Sequence, residues 1–149
     1  MATTLAAPSH GTHRALSASV WVAQVFLAVA FAGAGIMKLG TPIAELAQSY
    51  RWVADVSPGL VRFIGLCELA GAVGVLLPSL TRIRPFLAVG AAICLDLLML
   101  MAASFHLVRG EFGALAPPII LGAIAAFVAW GRSPERAPIA PRTKPRNAR

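Results

Sequence analysis

The stretch RFIGLCELAGAVGVLLP, residues 62–78, decides the reading of this chain. Apart from Arg62 at its start and Glu68 inside it, the stretch holds only Phe, Gly, Pro, Ala, Cys and aliphatic side chains. A carboxylate so placed marks either an exposed helix face or a functional group within a buried segment. Composition chooses between them. The chain has 149 residues, 58% hydrophobic and 13% charged, with a mean hydropathy of +0.75. Soluble domains carry roughly 25% charged residues, and a water-soluble domain with about half that supply could not cover its apolar surface. The composition implies a membrane protein.

Four apolar runs are long enough to approach or cross a hydrocarbon core of ~30 Å. They are Val20–Met37, Phe63–Leu77 (extended toward Gly59 if Arg62 snorkels), Pro85–Leu107 and Gly113–Trp130. The second is the shortest. Arg14, the first run and AFAG at residues 30–33 could form a cleavable signal, but the run continues to Met37, longer than a usual signal core. Pro117 and Pro118 fit only the first turn of the fourth helix, so it begins near Ala116 or is kinked there.

The connection TPIAELAQSYRWVADVSP, residues 41–58, places Ile43, Leu46, Ala47, Tyr50 and Val53 at helical spacing. Thr41 and Pro42 suit an N-cap and first helical position, and Ser57-Pro58 starts the second span in the same way. This connection is expected to form an amphipathic helix on the membrane surface, with Tyr50 and Trp52 at headgroup level. The expected fold is therefore all-α: a polytopic four-transmembrane-helix bundle with one short amphipathic interfacial helix between its first two spans. Residues 1–16 are expected to form a flexible leader, 17–132 the transmembrane domain and 133–149 a disordered basic tail.

The formal charge of +7 could suggest nucleic acid, but six of the thirteen Lys and Arg lie in the Pro-rich tail after Trp130. Basic residues beside a span set topology and contact anionic lipid, so nucleic acid is not an expected partner. Nine Lys and Arg fall on the side of the termini and the 78–84 loop, against Lys38, Arg51, Arg62 and Arg109 on the other. The positive-inside rule then places both termini in the cytoplasm of a multi-pass membrane protein. Cys67 and Cys94 are far apart and form no CxxC, so they read as small buried hydrophobes. Only His106 lies near a span, which excludes bis-His haem within one chain. No metal site is expected.

Glu68 enters from the outer side, about 9 Å beyond Arg62 at 1.5 Å per residue. Gly65, Glu68 and Gly71 share one helical stripe, so the glutamate should face a closely packed neighbour. An intramembrane carboxylate costs about 2.5–3.5 kcal/mol on insertion scales, which function or a partner must offset. Candidate partners end on the same side: Lys38 after the first span, His106 after the third, then Arg109 and Glu111. Asp96 lies about 15 Å deeper than His106. These groups could converge on one outward-facing polar pocket. Lys38, Glu68 and His106 are the expected catalytic groups, and Asp96, Arg109 and Glu111 the expected substrate-binding ones. Lys38 and Arg109 could instead simply snorkel at the interface.

The pieces GAGIMKLG, IGLCELAGAVGVLLP, AASFHLVRGEFG and FVAWGR occur in that order. Together they make the chain, over Phe26 to Arg132, resemble the DoxX-like family of small four-span bacterial membrane proteins. The family pattern carries over to Lys38, Glu68, Gly71, Pro78, His106, Gly110 and Glu111; Asp96 is not part of it. The resemblance implies association with quinol oxidase, thiosulfate:quinone oxidoreduction or membrane detoxification complexes. Fold alone does not transfer chemistry, and three functions stay open. One is a redox-associated subunit binding a quinone or similar small lipophile, with no covalent cofactor. The second is a non-catalytic assembly or scaffold subunit, and the third a small proton-coupled transporter. The expected partners are the lipid bilayer, a membrane redox protein and a second copy of the chain.

Overall fold

The computed structural model describes residues 10–84 and 86–133, with residues 10–13 as backbone only. The expected disordered tail from residue 134, and the first nine residues of the leader, lie outside the described residues. Five α-helices follow in order: α1 His10–Gly40, α2 Ile43–Ser49, α3 Pro58–Thr81, α4 Phe86–Val108 and α5 Ala116–Gly131. Short 3-10 turns cover Arg51–Asp55 and Phe112–Ala114, and there is no strand among the described residues. Four segments are long and apolar enough to cross a membrane: Arg14–Gly40, Pro58–Thr81, Phe86–Val108 and Phe112–Gly131. The chain is an all-α polytopic bundle. α1 starts at His10, ahead of the boundary expected at residue 17.

Local chemistry sets most of the ends. Ser57 caps α3, its hydroxyl accepting from the Leu60 N–H at 3.3 Å, with Pro58 in the first position. α5 begins at Ala116 with both prolines in its first turn, where the missing N–H groups have no helical partner to lose. α3 is longer than expected at 24 residues, because Pro78 is buried inside it and does not end it. Pro78 has no N–H to give the carbonyl of Gly74.

The spans close a ring in which α1 packs on α3, α3 on α4, α4 on α5 and α5 back on α1. Leu27, Phe31, Ala72, Val75, Leu95 and Val128 fill its centre. Small residues set the closest approach. A Cβ on Gly35 would stand 2.7 Å from the carbonyl oxygen of Gly65, and one on Gly65 would meet Lys38 Cβ at 2.8 Å. Gly71 lies beneath Leu95 in the same way. Glu68, on that stripe of α3, is 4% exposed and faces the bundle as the spacing requires. Apolar side chains such as Val22, Phe63, Leu100 and Ile119 point outward from every span, a surface suited to lipid.

Two expectations need correction. The connection after α1 is not one helix: Tyr50 is extended (φ −128, ψ 97) and separates α2 from the turn Arg51–Asp55. Pro42, not Thr41, is the N-cap of α2, and the Thr41 N–H bonds the Met37 carbonyl at 3.0 Å. The break at Tyr50 lets the chain change direction, and Leu46 and Val53 both pack with Val61, Met37 and Trp52 in a second core. The segment thus caps one end of the bundle, called here the capped end; the other is the termini end. The second correction concerns the cysteines: both are free, but Cys67 is only half-buried and Cys94 is exposed. Ala92 and Leu95 of α4 face inward, which turns Cys94 outward.

Candidate functional site

At the capped end the last turn of α1 carries Lys38 and the second turn of α3 passes beside it through Gly65. This approach lets the Lys38 ammonium donate to both oxygens of Glu68, each at 2.9 Å. The two side chains are 14% and 5% exposed. Arg62, one turn and a half earlier on α3, donates to the Lys38 main-chain carbonyl, one of those left without a partner where α1 ends. Lys38 also places its charge at the negative end of the α1 dipole. Two helix ends and one buried carboxylate are thereby joined through a single residue.

The sequence HLVRGE, residues 106–111, ends α4 in a Schellman motif. The Glu111 N–H bonds the His106 carbonyl at 2.9 Å and the Gly110 N–H bonds that of Leu107 at 3.0 Å. Gly110 takes φ +69, which an L side chain rarely adopts. The positions joined by such a motif often make an apolar contact; here they are His106 and Glu111, with Nδ1 and Oε2 at 2.7 Å. Arg109 donates from Nε to the other oxygen of Glu111 at 2.9 Å, and from its terminal nitrogen to Asp55 in the cap. Trp52 meets the Phe105 ring edge-on at 6.5 Å, and the Arg109 guanidinium lies 5.2 Å from the same ring's centroid. His106, then Arg109, hold the Glu111 carboxyl below its ordinary value of 4.5, and Glu111, then Asp55, raise the Arg109 guanidinium.

Of the six residues singled out in the sequence, five are at the capped end and form two groups. No hydrogen bond joins Lys38–Glu68 to His106–Glu111–Arg109 among the described residues. Asp96 stands apart. It is half-buried on α4 with its carboxyl against α5, where a Cβ on Gly122 would lie 3.3 Å from Oδ1. Two shallow apolar grooves of about 440 and 480 Å³ lie elsewhere, along α1 near Trp21 and Phe26 and between α1 and α5. Neither is lined by the polar groups of the capped end. No set of three or more His, Cys, Asp or Glu is placed to hold a metal among the described residues.

Sequence reasoning passed over a buried polar knot at the termini end. Gln24 is fully buried on α1 and donates to the Val75 carbonyl at 2.5 Å and the Ser79 hydroxyl at 2.6 Å. Its side-chain oxygen accepts from Arg132 Nε at 2.7 Å, and the Arg132 guanidinium lies 4.7 Å from the Trp21 ring centroid. A usable signal existed: an amide inside an apolar run must find partners, and Ser79 and Arg132 end their spans on the same side. Asp55 was also overlooked, because nothing in the sequence pairs it with a residue in a different loop.

No curated protein and no solved structure matches the chain. Residues 22–128 match the model of the DoxX-like family. That match reaches from the first span to the last and contains Lys38, Glu68, His106 and Glu111, and on it the chain belongs to the DoxX-like family.

Proposed function

We propose that this chain is a redox-associated membrane subunit that takes the head group of a quinone or similar small lipophile at its capped end. The observation that carries the reading is an imidazole held by a carboxylate at a span terminus: His106 Nδ1 on Glu111, with Glu111 fixed by Arg109. A carboxylate on Nδ1 selects the tautomer and leaves Nε2 free to accept or return a proton. Nε2 has no partner among the described residues. The lining fits such a ligand: the Phe105 ring stands edge-on to the imidazole at 5.7 Å with Trp52 edge-on to Phe105 behind it, and Lys38, Glu68, Arg109 and Glu111 are paired among themselves. A bound quinone would supply two-electron, two-proton carrier chemistry. His106 would hold the proton at Nε2, Glu111 would stabilise the imidazolium, and Phe105 and Trp52 would orient the ring. The electrons belong to a membrane redox partner. The excess of Lys and Arg on the termini side supports an inner-membrane placement with cytoplasmic termini.

The test is titration of a short-chain ubiquinone into the protein in lipid nanodiscs, read by tryptophan fluorescence. His106→Ala should weaken binding at least tenfold, Glu111→Gln by less, and both should keep their helical content. Equal binding by wild type and His106→Ala would end this reading. A scaffold role is the second reading, favoured by Lys38 reaching both oxygens of the buried Glu68 and so pairing the two charges within the bundle. Under that reading His106→Ala would leave assembly with a partner intact, whereas Glu68→Ala would abolish it.

A further inference from the structure

Asp96 and Glu68 are the two carboxylates placed within the spans away from their ends, and the fold treats them differently. Glu68 is buried and meets Lys38. Asp96 lies near the middle of Phe86–Val108, about 15 Å from Phe86 at 1.5 Å per residue. It is half-buried, and among the described residues it has neither a hydrogen-bond nor an ion-pair partner. Its carboxyl rests against Gly122, where α5 presents no side chain. Carboxylates in the hydrocarbon region pair with something or serve a site.

We propose that Asp96 is the contact through which a different membrane-spanning protein docks on the α4–α5 face, using a lysine or arginine near the middle of one of its helices. Charge complementarity selects a cation, and depth excludes a second copy of this chain as its source. Within the four spans the Lys and Arg are Arg14, Lys38 and Arg62, all close to helix ends; Phe86–Val108 and Phe112–Gly131 contain neither, and His106 is at the end of its span. Lys38 is already taken by Glu68. Oδ1 lies against the buried Gly122, so the partner's cation would meet the half-buried Asp96 from outside the α4–α5 contact.

A hydrophobic carbodiimide tests this directly, because it adds to a protonated intramembrane carboxyl and leaves a stable acylurea on it. Asp96 should be protected in the native membrane, where its partner is present, and labelled at least tenfold more in the purified chain in nanodiscs. Glu68, held by Lys38, serves as the unlabelled reference in both. Adding a synthetic polyleucine helix with one central lysine should restore protection, and the same helix without lysine should not. Asp96→Asn should leave the melting temperature nearly unchanged and remove the labelled peptide. Equal labelling in native membrane and nanodisc would overturn the proposal in favour of a lipid-facing protonated acid. Protection in nanodiscs holding two copies and no other protein would overturn it in favour of self-association.

Discussion

The two ends of the bundle solve the same problem, polar groups at helix termini, with different chemistry. The capped end uses charges against charges: Lys38 with Glu68, and Asp55, Arg109, Glu111 and His106 in a chain. The termini end uses one guanidinium and otherwise neutral groups, with Gln24 linking Ser79, the Val75 carbonyl and Arg132. Gln24, Ser79 and Arg132 are each at most 5% exposed, whereas the Arg109, Glu111 and Asp55 side chains are 26–49% exposed. One end is sealed; the other leaves its outer ion pairs partly open to solvent. Between them Leu27, Phe31, Val75 and Leu95 are buried and apolar, which argues against a proton relay running through the bundle.

Removing Glu68 should be the most damaging change to either end. Glu68→Ala leaves the Lys38 ammonium buried without its carboxylate, and breaking a buried pair costs about 3–5 kcal/mol. Thermal unfolding in nanodiscs should show the loss directly. Glu68→Gln should be nearly as harmful, since its amide offers Lys38 one acceptor where the carboxylate offers two. Replacing both partners by Met should recover most of the stability, because no uncompensated charge remains. A Glu68→Ala protein as stable as wild type would mean that the pair does not close the α1–α3 contact.

The termini end should lose less. Gln24→Leu removes the acceptor of Arg132 Nε and the donor to Ser79, at about 1–3 kcal/mol. It should leave lipophile binding at the capped end unchanged. If binding fell along with stability, the two ends would not be independent. The same independence predicts additivity in the double variant. Gln24 and Lys38 are separated by about 21 Å of helix at 1.5 Å per residue, and distant sites add within about 0.5 kcal/mol. A larger deviation in the Gln24→Leu, Glu68→Ala double variant would reveal coupling through the apolar core.

What could be read in the sequence follows the same division. The four spans were legible because apolar length is a local property, and so were the Ser57 cap and the proline start of α5. The inward aim of Glu68 was legible from Gly65 and Gly71 on its stripe. The break at Tyr50 was not, because residues 43–53 keep helical spacing through it and only packing against Val61 turns the chain. The grouping of the site was equally hidden: spacing places Lys38, Asp96 and His106 by depth along a helix but not around it. A rotation about α4 separates Asp96, against α5, from the capped-end groups. Gln24 was missed for a related reason. One amide in an apolar run creates no period, and its partners lie 51, 55 and 108 residues away.

The smallest expected effect is one of pH, and it should appear at one end alone. His106, then Arg109, hold the Glu111 carboxyl below its ordinary 4.5 in the folded chain. A carboxyl whose folded value is depressed adds stability that is complete above its unfolded value and is lost as pH falls through the folded one. The contribution of Glu111 should therefore be whole near neutrality and be lost in acid as pH falls below 4.5 and through the depressed folded value. Exposed ion pairs are weak and screened by salt, so the signal is best taken as a difference in melting temperature between wild type and Glu111→Gln. That difference should be small but positive near neutral pH, shrink toward zero in acid, and shrink at high salt. The Gln24→Leu variant should show no such pattern, because neither Gln24 nor Ser79 titrates. A Glu111→Gln difference that stayed constant across the acid range would mean that the carboxylate acts on His106 by shape and not by charge.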